Sequence, residues 1–196
     1  MNPGRPAVAA VAAAVATALA LSACGGGGGA PEPPALAGVV PGPPPGLVAR
    51  PDRSVDFDLA RYTASLSVAP ERDREVLSGA GFRSGLRRVW ADPAGGLVVD
   101  LYAFELADEA GAAAVLEAFV ADGGALLSAT PFEVPGLPGA RGATYTGGTA
   151  DAPTVVHAVY LTRGAVLANV LASHADRGAG PEVAIDVARR VAAQGR

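Results

Sequence analysis

The sequence contains no lysine, and it has only one cysteine, one tryptophan and two histidines among its 196 residues. Without a second cysteine the chain cannot form an intramolecular disulfide. All fifteen basic residues are arginines, scattered along the chain and outnumbered by nineteen acidic residues. This balance gives no electrostatic footprint for nucleic acid and no polybasic patch for anionic lipid headgroups. We therefore expect no nucleic-acid partner.

The single cysteine, Cys24, follows an apolar run that ends at Leu21 and precedes five glycines. The order Leu21-Ser22-Ala23-Cys24 resembles the lipobox of bacterial lipoproteins, in which the signal peptide is cut before a cysteine that receives lipid. The apolar run of about fifteen residues is short for a bilayer core of ~30 Å but suits a signal peptide. An ordinary signal peptide or a short membrane anchor with an incidental cysteine is the alternative.

Composition divides the chain into three parts. We predict a signal peptide over residues 1–23, with cleavage between Ala23 and Cys24. Residues 24–51 form a linker rich in glycine and proline, which favours flexible and extended chain rather than a packed core. Residues 52–196 are long enough for one globular domain. The predicted location is the extracytoplasmic face of the cell membrane, with the lipid on Cys24 as the membrane contact.

The third part alternates helical and strand patterns. Short helices are predicted near residues 70–78 and from Pro181 onward, and residues 55–67 are extended or weakly helical. Residues 82–91 and 97–106 read as a hairpin whose second strand is apolar on both faces, which indicates a central strand. Asp108 caps a helix that Gly123-Gly124 should end. A second hairpin, over residues 154–173, should turn at Arg163-Gly164.

These elements predict an α+β fold: an antiparallel sheet of about five strands with two or three helices packed on one face. Two groups of residues carry a resemblance to a known family. The first comprises Gly81-Phe82, Gly85, Arg88, Trp90, Leu101-Tyr102, Phe104 and Gly111-Ala112-Ala113; the second comprises Phe132, Val134-Pro135-Gly136, Pro138-Gly139-Ala140 and Arg163-Gly164.

Over roughly residues 80–196 this order resembles the uncharacterised envelope lipoproteins of actinobacteria. More loosely it is similar to PsbP/Mog1-like lipoproteins and to the extracellular sensor domains of actinobacterial kinases. The resemblance implies an envelope-facing α+β binding or accessory module. It brings no catalytic residues and no cofactor.

The histidines, His157 and His174, are predicted on neighbouring strands. A turn at Arg163-Gly164 would place them about 13 Å apart at ~3.3 Å per residue, which is too far for a shared metal. Ser173, His174 and Asp176 are almost adjacent in sequence, whereas members of a catalytic triad normally converge from separate segments. We therefore predict no metal, no cofactor and no catalytic residues, with a hydrolase as a remote alternative.

Aromatic residues on strands suggest a ligand groove. If Trp90, Tyr102 and Phe104 shared a sheet face without helices, they would line an apolar groove, and Arg88 and Arg163 could hold an anionic head group. Plain core packing is the alternative. The sequence thus predicts a non-catalytic envelope lipoprotein that binds a small hydrophobic ligand, a glycolipid or an envelope protein; the second hypothesis is a sensor or protein-interaction module without a pocket.

Overall fold

The computed structural model describes residues 36–149, 152–176 and 178–194, which all lie in one compact unit. The predicted signal peptide, Cys24 and the first part of the linker lie outside the described residues. A short 3-10 helix, Leu36–Val39, comes first. The other elements follow in chain order: β1 Val48–Ala49, β2 Val55–Phe57, α1 Leu59–Ser65, α2 Pro70–Gly79, β3 Ser84–Ala91, β4 Leu97–Glu105, α3 Glu109–Leu127, β5 Thr130–Phe132, β6 Arg141–Gly148, β7 Pro153–Arg163, β8 Val166–His174 and α4 Glu182–Ala193.

The strands form one antiparallel sheet in the order β1-β3-β4-β8-β7-β6-β5, with β2 pairing beside β1 on the outer edge of β3. The α+β class predicted from the sequence is confirmed. The described residues contain eight strands rather than five, because three strands of two or three residues are too short to show a period-two pattern.

Helices cover both faces of the sheet, so the expectation of helices on one face is wrong. On the first face, α1, α2 and α3 pack over residues such as Phe104, Tyr160 and Leu167. On the second face, α4 packs over Leu101, Val159, Val170 and their neighbours. We call these the α3 face and the α4 face. Because helices pack against both faces of the sheet, the central strands β4 and β8 have apolar side chains on both faces.

Part of the predicted linker is folded. Val39 is 1% exposed and packs with Leu86 and Val166 on the α4 face, and β1 pairs with β3. The folded unit therefore includes residues 36–51, which the sequence assigned to the linker. The proline-rich composition did not indicate this, because the segment contains only a four-residue 3-10 helix and the two-residue strand β1, which are too short to give a sequence pattern.

Helix α3 begins where the sequence predicted. The Asp108 carboxylate accepts a hydrogen bond from the Gly111 N–H at 2.7 Å and caps the helix. The helix does not stop at Gly123-Gly124 but continues to Leu127, because tertiary packing outweighs the cost of about 1 kcal/mol per interior glycine. By length and apolar composition α3 is also the one described helix that could cross a membrane. That is weak evidence, since core helices meet the same criterion and α3 packs on the sheet.

Candidate functional site

A pocket of about 410 Å³ opens on the α3 face, between the second half of α3, the segment around the α1–α2 connection and strands β4, β8, β7 and β6. Its volume falls within the range of about 300–1,000 Å³ that is typical of small-molecule sites. Apolar, phenolic and carboxyl side chains line it: Tyr62, Leu66, Val68, Ala69, Asp73, Tyr102, Phe119, Asp122, Gly123, Leu126, Leu127, Tyr145, Thr146, Gly147, Gly148, Tyr160, Asn169 and Leu171. All four tyrosines of the chain are in this set. We call it the tyrosine pocket.

Sheet register places the polar residues of the pocket floor. Asn169 on β8 is the direct cross-strand partner of both Tyr102 on β4 and Tyr160 on β7. Cross-strand partners point to the same face, so the three side chains form one row across the sheet. Tyr145 reaches the same face from β6, and Tyr62 approaches from α1.

The phenols lie in a poorly hydrated environment. Burial, as the first cause, raises the pKa of each tyrosine above its usual value, to about 12 for Tyr160. All four phenols are therefore neutral at ordinary pH and can both donate and accept hydrogen bonds.

Two carboxyl groups stand at the pocket wall. Tyr62 and Ser67 both donate hydrogen bonds to Oδ2 of Asp73, at 3.2 and 2.5 Å. Burial raises the pKa of Asp73, and these two hydrogen bonds oppose part of that rise. Oδ1 of Asp122 is paired with the guanidinium of Arg72.

The wall also contains acceptors without a protein partner. Asp122 Oδ2 and Asn169 Oδ1 are both buried and accept no hydrogen bond from any described residue. A buried polar group that is left unpaired costs about 1–3 kcal/mol, and more when it is charged. Both residues line the pocket, so a bound donor that reached these oxygens would recover that free energy.

The predicted aromatic groove does not exist as a unit. Tyr102 lines the tyrosine pocket, whereas Phe104 is 1% exposed beneath it, in edge-to-face contact with Tyr62 and Phe119. Trp90 pairs with Val99 and belongs to the core on the α4 face. The β3–β4 register puts Trp90 on the opposite face of the sheet from Tyr102 and Phe104, and helices cover both faces. The expectation that the three share a helix-free face is therefore corrected.

The two predicted anion-holding arginines also lie away from the pocket. Arg88 is on the α4 face, opposite Leu101, and forms an ion pair with Asp56 at 2.7 Å. Arg163 ends β7 opposite Val166, on the same face, and its buried Nη1 has no partner among the described residues. Neither arginine lines the tyrosine pocket.

The two histidines are neighbours rather than 13 Å apart. The β7–β8 loop is Gly164-Ala165, one residue later than predicted, and this shift moves the pairing by two residues so that His174 lies opposite Val155. The ring centroids of His157 and His174 are consequently 5.7 Å apart on the α4 face. Burial, and secondly His157, lower the pKa of His174.

The ring nitrogens of the two histidines have few polar neighbours. The Nδ1 of His157 lies 2.9 Å from the Thr144 hydroxyl, and its Nε2 lies 2.9 Å from the Ala179 carbonyl, to which only an N–H can donate. The Nε2 of His174 is buried without a partner. Among the described residues, no three metal-ligating side chains cluster.

The residues considered for a triad do not converge. Ser173 lies opposite Val98 and Val156 on the α3 face, whereas His174 points to the α4 face. The alternation of side chains along β8 separates them. The polar contacts of His157 are a threonine hydroxyl and a backbone carbonyl, whereas His174 Nε2 has no partner among the described residues.

Sequence reasoning missed most of the pocket residues. Tyr62, Tyr145, Asp122 and Asn169 come from four separate elements, and no spacing links them in the chain. The available signal was that Tyr102 and Tyr160 fall in predicted strands and Tyr62 in the ambiguous segment 55–67.

Comparison with known proteins finds similarity in structure and none in sequence. No protein-family model matches the chain, and no curated protein matches it. Among solved structures, the fold is similar to the crystal structure of the extracellular domain of PknH from Mycobacterium tuberculosis. The match has a TM-score of 0.47 and 12% sequence identity, and it covers 71% of this chain and 77% of that one. The likeness is one of architecture, and no residue role is transferred from it.

Proposed function

We propose that this protein is a non-catalytic envelope lipoprotein, attached to the cell membrane by lipid on Cys24, whose domain binds a small ligand in the tyrosine pocket. The Leu21-Ser22-Ala23-Cys24 sequence supports the anchor and the extracytoplasmic location. The observation that carries the binding function is the tyrosine pocket, which gathers all four tyrosines around about 410 Å³.

The pocket wall indicates the character of the ligand. Side chains such as Leu66, Phe119 and Leu171 offer apolar contact, while phenols, two carboxyls and one amide offer a few fixed polar contacts. That combination suits a small ligand with an apolar body, because apolar walls supply affinity and sparse polar groups fix orientation. The hydrophobic ligand predicted from the sequence is retained, but its proposed site moves to the α3 face.

Native mass spectrometry of the lipoprotein extracted from its own membrane tests this function. The wild type should retain a small-molecule adduct. Leu171→Trp, which fills the pocket, should lose the adduct, and Leu137→Trp should keep it because Leu137 is half-buried on the α4 side. An adduct that survives Leu171→Trp, or a wild type without any adduct, would favour the interaction module without a ligand.

The anchor has a separate test. Cys24→Ala should release the protein into the medium or leave it with an uncleaved signal peptide, because the thiol that accepts the lipid is gone. A Cys24→Ala protein that is processed and membrane-bound like the wild type would contradict the lipoprotein assignment. Cell fractionation with intact-mass measurement distinguishes these outcomes.

A further inference from the structure

We infer that the tyrosine pocket is selective for a small organic ammonium ion, an apolar body that carries a protonated amine with at least one N–H. This inference rests on the proposed binding function and specifies its ligand class. It replaces the anionic head group expected from the sequence, and three independent properties of the pocket wall support it.

The first property is the charge of the wall. Asp73 and Asp122 line the pocket, and none of its described lining residues is an arginine or a histidine. Two guanidinium groups beside lining residues are held by acids: Arg72 contacts Asp122, and Arg87, next to Tyr102, donates to Asp100 at 2.7 Å through its Nε. An anionic ligand would therefore contact carboxyl groups and no cationic lining residue, whereas a cationic ligand would be attracted by the carboxylates.

The second property is unmet acceptor capacity. Asp122 and Asn169 line the pocket, and their Oδ2 and Oδ1 atoms are buried and accept nothing from the described residues. An ammonium group supplies N–H donors and positive charge together, and charge-assisted hydrogen bonds are the stronger kind. A quaternary ammonium, which has no N–H, would leave both oxygens unpaired.

The third property is the ring of phenols. Aromatic rings carry negative electrostatic potential on their faces and attract cations within about 6 Å of the ring centroid. The Tyr102 ring already does so, since the guanidinium carbon of Arg87 lies 5.5 Å from its centroid. The wall has four neutral tyrosines of this kind, and none of its described lining residues adds a positive charge of its own.

Calorimetric titration of the full-length lipoprotein in lipid nanodiscs, with empty nanodiscs as the reference, tests the inference. The probes share a phenyl-alkyl body and differ at the polar end: 2-phenylethylammonium, 2-phenylethanol, 3-phenylpropanoate and 2-phenylethyltrimethylammonium. We expect 2-phenylethylammonium to bind at least tenfold more tightly than the alcohol and the quaternary ion, and 3-phenylpropanoate to bind most weakly.

Two variants separate a ligand contact from a structural role of Asp122. Asp122→Asn should remove the preference for the ammonium over the alcohol, while the alcohol affinity stays within about twofold. Arg72→Gln frees the same carboxylate from its partner, so it should strengthen ammonium binding. If Asp122 were only structural, both variants would weaken all probes together and lower the thermal midpoint.

The outcomes also distinguish this inference from the function on which it rests. If the alcohol or the carboxylate binds as tightly as the ammonium, the pocket still binds small ligands and only the ammonium selectivity is refuted. If no probe binds and the Leu171→Trp variant also leaves the native adduct unchanged, the ligand-binding function itself is refuted. If the quaternary ion equals the primary one, the roles of Asp122 Oδ2 and Asn169 Oδ1 are refuted.

Discussion

Replacing Gly85 with alanine tests whether the aromatic cluster on the α3 face requires a residue without a side chain at this position. Gly85 lies in β3 between its cross-strand partners Phe57 and Phe104. A Cβ atom at Gly85 would lie 2.0, 2.4 and 2.7 Å from three ring carbons of Phe57. Such distances require the whole ring to move.

The ring has little room to move. Phe57 is 5% exposed, and its centroid lies 5.3 Å from that of Tyr62 and 5.7 Å from that of Phe104. Overpacking a core costs about 1–3 kcal/mol, and complete loss of a buried phenylalanine costs about 3–5 kcal/mol. Alanine is intrinsically more favourable than glycine within a strand, and this offsets the loss by roughly 0.5–1 kcal/mol. We therefore expect Gly85→Ala to lower the free energy of unfolding by about 2–4 kcal/mol.

Urea unfolding of the full-length protein, followed by Trp90 fluorescence, measures this loss. Trp90 is the only tryptophan and is 3% exposed in the α4-face core, so its emission reports unfolding from the opposite side of the sheet. Gly79→Ala is the matched control, because a Cβ there meets nothing within 4 Å. In a Phe57→Ala background the cost of Gly85→Ala should disappear; an equal cost in both backgrounds would refute the steric explanation.

Three further predictions concern polar groups. Arg87 and Asp100 form a largely buried ion pair. Asp100→Ala should lower the free energy of unfolding in urea by about 3–5 kcal/mol because it leaves a buried charge unpaired, whereas changing both residues to leucine should lower it much less. Equal losses for the two proteins would contradict this explanation. The pKa of His174 is lowered from its ordinary 6.5, so the unfolded chain binds that proton more readily than the folded protein does. The contribution of neutral His174 to the free energy of unfolding should therefore be complete above about pH 6.5 and decrease below it, and a His174→Gln variant should lack this pH dependence. A difference in stability between the two proteins that is constant from pH 5 to 8 would contradict this. Asp108→Ala should lower the free energy of unfolding by about 1 kcal/mol because α3 loses its cap, whereas Asp108→Asn should retain most of the wild-type stability. Equal effects of the two variants would exclude capping as the cause.

Local sequence patterns determined much of the architecture. Period-two alternation located the strands of the β3–β4 and β7–β8 hairpins, and Asp108 correctly predicted the start of α3. Apolar residues on both sides of β4 correctly indicated a central strand. These signals depend on neighbours along the chain, which is why they could be read without the tertiary structure, and together they were sufficient for the α+β class.

Tertiary structure decided which surfaces meet. Alternation shows that Tyr102 and Phe104 share a face, but not that α3 covers it or that α4 covers the face of Trp90. A one-residue difference in the β7–β8 turn was enough to move His174 beside His157. The tyrosine pocket is the clearest case, because packing brings its residues together from elements far apart in the chain. The sequence by itself therefore located the longer strands and helices, and the lipid anchor at Cys24 stays a prediction from it, while the strand register and the helices that cover each face created the candidate site.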